Sequence, residues 1–353
     1  MGIVRVDVVR LPLTLREPYT IAYETVDRAE NVLVRVVTDG PHVGLGIAAP
    51  DEGVTGERID DTFRVLSDVA SGLVGQDPLR RVAVCHGVSD ALAAFPSARS
   101  ALDQALLDLL GKTASLPAWR LLGGFRTRIP TSATVFLGPV ERVVADARRL
   151  LDGGFRLLKI KGGDDPDLDE ARLRAVRQLA GPDTPLLFDA NQGYDAETAR
   201  SLLERLADVR LAIVEQPCPA DDVHALRQLT RSVPLPVMAD ESLLGLADAF
   251  HLARGEAVDM VNIKLAKVGG IDEALLINGV ARAAGLEVMV GCMDECALSI
   301  AAGLAFALSR PNVEYADLDG HLDLLDDPTS GCLSLVDGEL VPSDAPGFGL
   351  ADV

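Results

Sequence analysis

Leu211-Ala212-Ile213-Val214-Glu215, an amphipathic segment over residues 221–231, and Leu235-Pro236-Val237-Met238-Ala239-Asp240 make one strand–helix–strand unit. Both strands are apolar on both faces, the signature of parallel strands covered by helices. The unit recurs roughly every 25 residues on either side. Further strands are expected over 131–137, 156–161, 185–189, 259–264, 286–291 and 312–317. Helices are expected over 140–152, 168–179, 196–206, 246–254, 271–284 and 295–308. Eight parallel strands at this spacing predict a TIM-type barrel rather than an open sheet. Ahead of them, residues 3–12 and 32–38 have the pattern of antiparallel strands, and 57–73 and 97–112 that of helices. The expected division is an α+β capping domain over 1–125, the barrel over 126–320, and a segment over 321–353. That last segment, rich in Gly, Pro and Asp, is expected to be irregular and to return to the capping domain.

Composition narrows the function. The 353 residues are 48% hydrophobic without an apolar run long enough to span a membrane. The start, Met1-Gly2-Ile3-Val4, goes straight into strand-like alternation without signal-peptide architecture. Five scattered cysteines lack CxxC spacing, which suits reduced thiols and a cytoplasmic protein. A net charge of −20 argues against nucleic-acid and membrane partners. A homo-oligomer is compatible with the sequence.

Of 33 basic residues five are lysines, and four of those stand in Lys159-Ile160-Lys161 and Lys264-Leu265-Ala266-Lys267. Arginine serves wherever charge alone is needed; an amine can also give up its proton when its site lowers the pKa. In a barrel the C-terminal strand ends meet at one open face. The first strand brings Thr134 there. The second brings Lys159 and Lys161, on one face by the period of two. Asp189 follows on the third, Glu215 on the fourth, Asp240 on the fifth and Lys264 on the sixth. Asp294 follows the seventh, and Asp317-Leu318-Asp319 ends the eighth.

Asp189, Glu215 and Asp240 form a hard oxygen set suited to Mg²⁺, and no His/Cys cluster suggests zinc. Lys264 approaches from the side opposite Lys159 and Lys161, and two amines facing each other across an ion suggest a two-base proton transfer. A carbon acid beside a carboxylate needs its enolate stabilised, and Lys159 with the ion would place positive charge there. Crowded cations are expected to lower a lysine's pKa toward the working range. Taken singly, each feature has an ordinary explanation: a helix N-cap, a solvated strand, or a structural role for Lys267 with Gly269-Gly270. Together they resist one, because unpaired buried charges cost several kcal/mol each.

Leu158-Lys159-Ile160-Lys161, Asp189-Ala190-Asn191-Gln192-Gly193, Val214-Glu215-Gln216-Pro217, Ala239-Asp240-Glu241-Ser242 and Asn262-Ile263-Lys264 with Gly269-Gly270 resemble the muconate-lactonizing-enzyme subgroup of the enolase superfamily. The resemblance covers nearly the whole chain. It implies an α/β fold, a modified TIM barrel (β/α)7β behind an N-terminal α+β capping domain. It also implies Mg²⁺ on Asp189, Glu215 and Asp240, an acid/base pair of Lys161 and Lys264, and electrostatic help from Lys159. Asp317-Leu318-Asp319 resembles the Asp-x-Asp signature of dipeptide epimerases, whose carboxylates hold the substrate's α-ammonium group. Gly291-Cys292-Met293-Asp294-Glu295 is similar to their seventh-strand motif. The expected activity is Mg-dependent dipeptide epimerisation by 1,1-proton transfer through an enolate.

One departure bears on the substrate. Relatives acting on Ala-Glu dipeptides carry an arginine in the loop over residues 19–24, and here Glu24 takes the matching position. Asp51 and Glu52 in a second capping loop add negative charge, as does Asp294 where relatives usually carry an apolar residue. Acids there predict a dipeptide with at least one cationic side chain. A cycloisomerase or o-succinylbenzoate synthase would use the same metal and lysines but leave Asp317 and Asp319 without an ammonium partner. A Schiff-base lysine aldolase has no use for three convergent carboxylates.

Overall fold

The structure, a computed structural model, describes residues 1–22 and 24–351. The N-terminal sheet has three antiparallel strands, Ile3–Leu13, Ala29–Thr38 and Val43–Ala48, with the second between the others. Alternate residues Val32, Val34 and Val36 face helices Ile59–Leu73 and Pro96–Ala114 in one apolar cluster. Val43–Ala48 is absent from the sequence-based expectation because Gly44 and Gly46 break its strand pattern. Their purpose is proximity: a Cβ on Gly44 would lie 2.1 Å from the Ala105 carbonyl oxygen, and one on Gly46 2.0 Å from that of Ala101. The glycines let the helix backbone rest directly on the strand.

Eight parallel strands follow in sequential order: Ala133–Val135, Leu158–Lys161, Leu186–Asp189, Ile213–Glu215, Val237–Ala239, Met260–Lys264, Glu287–Gly291 and Val313–Asp317. The ring closes where Thr131 bridges Ala316 and the Ser132 amide donates to the Ala316 carbonyl at 2.8 Å. Each of the first seven strands is followed by helix, and among the described residues no barrel helix follows the eighth, which gives the (β/α)7β pattern.

Inside the ring the period of two separates two layers. Leu157, Leu187, Ile213, Met238, Met260 and Met289 make an apolar floor. Two residues further along, five of these strands present Lys159, Asp189, Glu215, Asp240 and Asn262. The intervening residues Leu158, Ile160, Phe188, Val214, Ala239, Val261 and Ile263 pack outward in the main core with the helices.

The C-terminal segment is more ordered than expected. Leu333–Val336 and Glu339–Pro342 form a hairpin that adds to Ile129–Pro130. Its two-residue turn, Asp337-Gly338, has positive φ at both positions (52° and 78°), the requirement of a type I′ turn. Further on, the Phe348 amide donates to Asp108 Oδ1 of helix Pro96–Ala114 at 2.8 Å. Among the described residues no helix is long and apolar enough to cross a membrane.

Candidate active site

At the C-terminal mouth of the barrel, under the loops of the N-terminal unit, lies a cavity of about 640 Å³. Lys159, Lys161, Asp240, Lys264, Asp317 and Asp319 reach it from the barrel, and Glu24, Asp51 and Glu52 from the capping loops. Asp189 and Glu215 lie just beneath, completely buried. The register explains the convergence: Lys161 pairs with Asp189, and Asp189 with Glu215, on successive strands.

Lys159 is the hub. Its Nζ stands 3.0 Å from Asp189 Oδ2, 2.8 Å from Glu215 Oε2 and 2.8 Å from Asp317 Oδ2. Lys161 Nζ donates to Asp189 Oδ2 at 2.8 Å and to Asn191 Oδ1 at 2.9 Å. Lys264 Nζ lies 2.8 Å from Asp240 Oδ2. Lys161 and Lys264, on the second and sixth of eight strands, therefore face one cavity from opposite walls, each resting on a carboxylate.

Among the carboxylates alone Lys159 and Lys264 shift upward, whereas the lowering expected from the sequence concerned amines crowded by a bound cation as well. Burial does work against the charge of Lys159, but Asp189, Asp317 and Glu215 overcome it and hold the amine well above the ordinary lysine value. Lys264 is likewise pushed up, by Asp240 against burial. Carboxylates outnumber amines here, so attraction outweighs cation crowding. Lys267 goes the other way: burial, with the neighbouring Lys264, outweighs Asp240 and lowers it. Asp189 is held at about 2, with Lys159 and Lys161 overcoming burial, and Asp240 falls well below the carboxylate range beside Lys264 and Lys267. Burial and Asp189 push Glu215 up to about 8.

This donor set fits a hard divalent ion. All three acids present oxygen, and among the described residues no His or Cys joins them in a metal-holding group. Glu215 Oε2 is buried and its 2.8 Å contact with Lys159 Nζ is an ion pair outside hydrogen-bond geometry. Glu215 Oε1 is occupied by Asn262 Nδ2 at 2.7 Å. Among the described residues, no three acid, His or Cys side chains form a ready-made metal cage, since Lys159 draws Asp189, Glu215 and Asp317 around itself.

Asp317 and Asp319 close the far wall. Asp317 accepts from Ser132 Oγ at 2.5 Å and from Lys159 at 2.8 Å. Asp319 Oδ2 accepts the Thr134 amide at 2.7 Å, while burial and the neighbouring Asp317 raise it to about 7. The Thr134 side chain lines the cavity. On the capping side, Tyr19, stacked on Phe136 with ring centroids 4.0 Å apart, donates its hydroxyl to Asp294 Oδ2 at 2.6 Å. Asn31 fixes the backbone there, donating to the Asp294 carbonyl at 2.9 Å. Asp51 Oδ1 caps its own loop through the Val54 amide at 2.8 Å, and exposed Glu52 pairs with Arg58 at 3.1 Å. Glu24 is exposed at the cavity wall.

Sequence reasoning gave Lys267 only a structural reading and Glu241 no role, and both belong to the site. Lys267 is fully buried behind Asp240, donating to its Oδ1 at 2.5 Å and to the Asn262 carbonyl at 3.1 Å. Glu241 lines the cavity, accepts from Asn191 Nδ2 at 3.1 Å and keeps its other oxygen unpartnered. The signal for Lys267 was its place one helical turn after Lys264, and for Glu241 its place beside Asp240.

Residues 3–123 match the N-terminal domain of the mandelate racemase / muconate lactonizing enzyme family, and residues 142–351 match the enolase C-terminal domain-like family. The chain is 39% identical to the L-Lys-D/L-Arg epimerase of Methylococcus capsulatus, over 96% of this chain and 95% of that protein. It superimposes on a substrate-liganded L-Ala-D/L-Glu epimerase from Bacillus subtilis with a TM-score of 0.96 at 35% identity, covering 99% of this chain and 98% of the other. A Methylococcus capsulatus dipeptide epimerase complexed with Mg and L-Arg-D-Lys gives 0.94 at 37% identity, covering 99% and 100%.

Proposed function

Since the chain belongs to the mandelate racemase / muconate lactonizing enzyme family of the enolase superfamily, we propose that it is a Mg-dependent dipeptide epimerase acting on dipeptides with a cationic side chain. The observation that carries this reading is the placement of Lys161 and Lys264 on opposite walls of one cavity whose third wall is Asp317 and Asp319. A dipeptide offers matching groups: a carboxylate for the cationic side of the site and an α-ammonium for the paired aspartates.

Asp189, Glu215 and Asp240 would hold the Mg²⁺, which when bound stabilises negative charge growing on the substrate carboxylate. One of the two lysine amines removes the α-proton and the other delivers a proton to the opposite face. Reversal exchanges their roles, so the starting isomer decides which lysine is the base. Lys159 keeps a fixed positive charge beside the substrate carboxylate. Lys267 and Asn191 hold Asp240 and Lys161 in place. Relatives of this family that act on substrates lacking an ammonium group would leave Asp319 uncompensated. The five unpaired thiols suit a cytoplasmic setting.

The cationic preference rests on Glu24, Asp51 and Asp294, whose side chains form no ion pair among the described residues. Relatives include the L-Lys-D/L-Arg epimerase named above. We expect kcat/KM for Lys- or Arg-containing dipeptides to exceed that for Ala-Glu by roughly a hundredfold, because like-charge juxtaposition costs several kcal/mol. Combining Glu24→Arg with Asp294→Leu should reverse the order. Better turnover of Ala-Glu by the unaltered chain would refute the preference.

The same acids set a pH signature. Burial, then Asp51, Asp323 and Glu24, outweigh the Tyr19 hydrogen bond and raise Asp294 to about 6. A raised carboxylate is charged above its pKa and neutral below it, so attraction for a cationic side chain is present above about pH 6 and fades beneath it. The ratio of kcat/KM for a Lys-containing dipeptide to that for a neutral one should therefore fall through this range. Asp294→Asn should flatten that fall, and an unchanged profile would remove Asp294 from the specificity site.

A further inference from the structure

Each lysine of the proposed pair is followed by a pair of glycines, directly for Lys161 and after one helical turn for Lys264, and a buried aspartate anchors the chain at or just after each pair. After Lys161, the Gly163 amide donates to Asp169 Oδ2 at 2.7 Å. Asp169, 1% exposed, is itself held by Tyr194 and by Arg172 Nη1 at 2.6 Å. That anchor belongs to the barrel, since Asp169 lies in the helix Pro166–Ala180 that follows the second strand.

The anchor behind Lys264 comes from elsewhere. After Lys264 the chain makes the single turn Leu265–Val268, passes Gly269 and Gly270 at φ of 97° and 107°, and enters the helix Ile271–Ala284. Gly270 offers this helix no side-chain cap. Asp103, on helix Pro96–Ala114 packed against the N-terminal sheet, supplies it across 168 residues of sequence. Its Oδ2 accepts from the Ile271 amide at 2.7 Å and from that of Asp272 at 3.3 Å. Its Oδ1 accepts from Arg81, which also binds Asp272. One turn earlier on the same helix, Arg99 Nη2 reaches Glu273 Oε2 at 3.0 Å. Asp103 is 2% exposed, and a Cβ on Gly270 would come within 2.8 Å of its Oδ2.

The connection from Lys264 to the helix is therefore pinned at both ends, by Lys267 on Asp240 and by Asp103 on the helix start. We propose that Asp103 is a positioning residue for Lys264: the N-terminal unit, through one buried carboxylate, sets the place of one of the two bases. Asp169 does the same for Lys161 from within the barrel. A displacement of about 1 Å at a proton-transfer group can cost on the order of a hundredfold in rate, so a short rigid tether matters.

The inference rests on the proposed epimerisation, and its test separates the two. The full chain with Mg²⁺ is incubated in D₂O with each stereoisomer of a Lys-containing dipeptide, and deuterium uptake at the α-carbon is followed by mass. Lys161→Ala and Lys264→Ala first assign which isomer surrenders its proton to which amine. Asp103→Asn is expected to slow uptake from the Lys264-dependent isomer roughly tenfold or more while leaving the other within about threefold. Asp169→Asn should give the reverse pattern. General loosening of the fold would slow both isomers alike, and that result, or no slowing, overturns the positioning role. If Asp103→Asn does not fold, Gly270→Ala, whose Cβ crowds Asp103, must give the same one-sided loss; a symmetric loss there overturns it. An unaltered chain that exchanges neither isomer overturns the epimerase reading instead.

Discussion

Lys264→Ala is expected to abolish epimerisation, with kcat falling roughly a thousandfold or more, the range of a lost general acid–base group. Yet the variant should not be inert. Lys161 remains on its own wall beside Asp189 and Asn191, so the isomer whose α-proton faces it can still lose that proton and take back deuterium from the same amine. Exchange without inversion on one isomer, and silence on the other, is the expected result. Lys161→Ala should give the mirror pattern. The asymmetry is the informative part, because damage to the fold or to ion binding would silence both isomers. Inversion surviving in either variant would defeat the two-base reading.

Lys159→Met is expected to show its largest effect as instability of the ion-free protein. In the structure one ammonium touches Asp189, Glu215 and Asp317, all buried, and of these Asp189 alone also pairs with a second amine, Lys161. Removing one partner of a buried ionic cluster typically costs about 3–5 kcal/mol, because the remaining charges stay desolvated and uncompensated. Methionine matches the length of the stem but carries no charge. Thermal melts in EDTA should therefore show a strongly lowered transition for the variant. Added Mg²⁺ should raise that transition further than it raises the parent's, since a cation then gains carboxylates that have lost their internal counter-charge. Equal responses to Mg²⁺ would show that Lys159 does not share those acids with an ion. Epimerisation should fall as well, by on the order of 10²–10³, through loss of fixed positive charge beside the substrate carboxylate.

How much of this was legible beforehand follows from what local sequence encodes. The barrel strands were visible because each is apolar on both faces, and the alternation of two placed Lys159, Asp189, Glu215 and Asp240 in one layer above Leu157, Leu187, Ile213 and Met238. Val43–Ala48 was hidden because its glycines answer to a helix more than fifty residues away, which no local pattern reports. The hairpin after residue 332 carried a readable Asp337-Gly338 turn, masked by a composition that suggested irregular chain. The upward shift of Lys159 and Lys264 among these carboxylates was not legible, because it depends on which charges the closed ring brings within 3 Å, and strand order alone does not give those distances. Asp103 was invisible for the same reason: its partners lie in a helix start assembled from a distant part of the chain.

The closure of the ring carries a further consequence. First and eighth strands meet through one backbone bridge and a few side chains: Thr131 Oγ1 accepts the Leu318 amide, and Ser132 holds Asp317. Under the proposed function, the staves of this barrel are hooped by the very carboxylate that greets the substrate. Mechanical integrity and recognition thus share a residue, and selection on either one constrains the other.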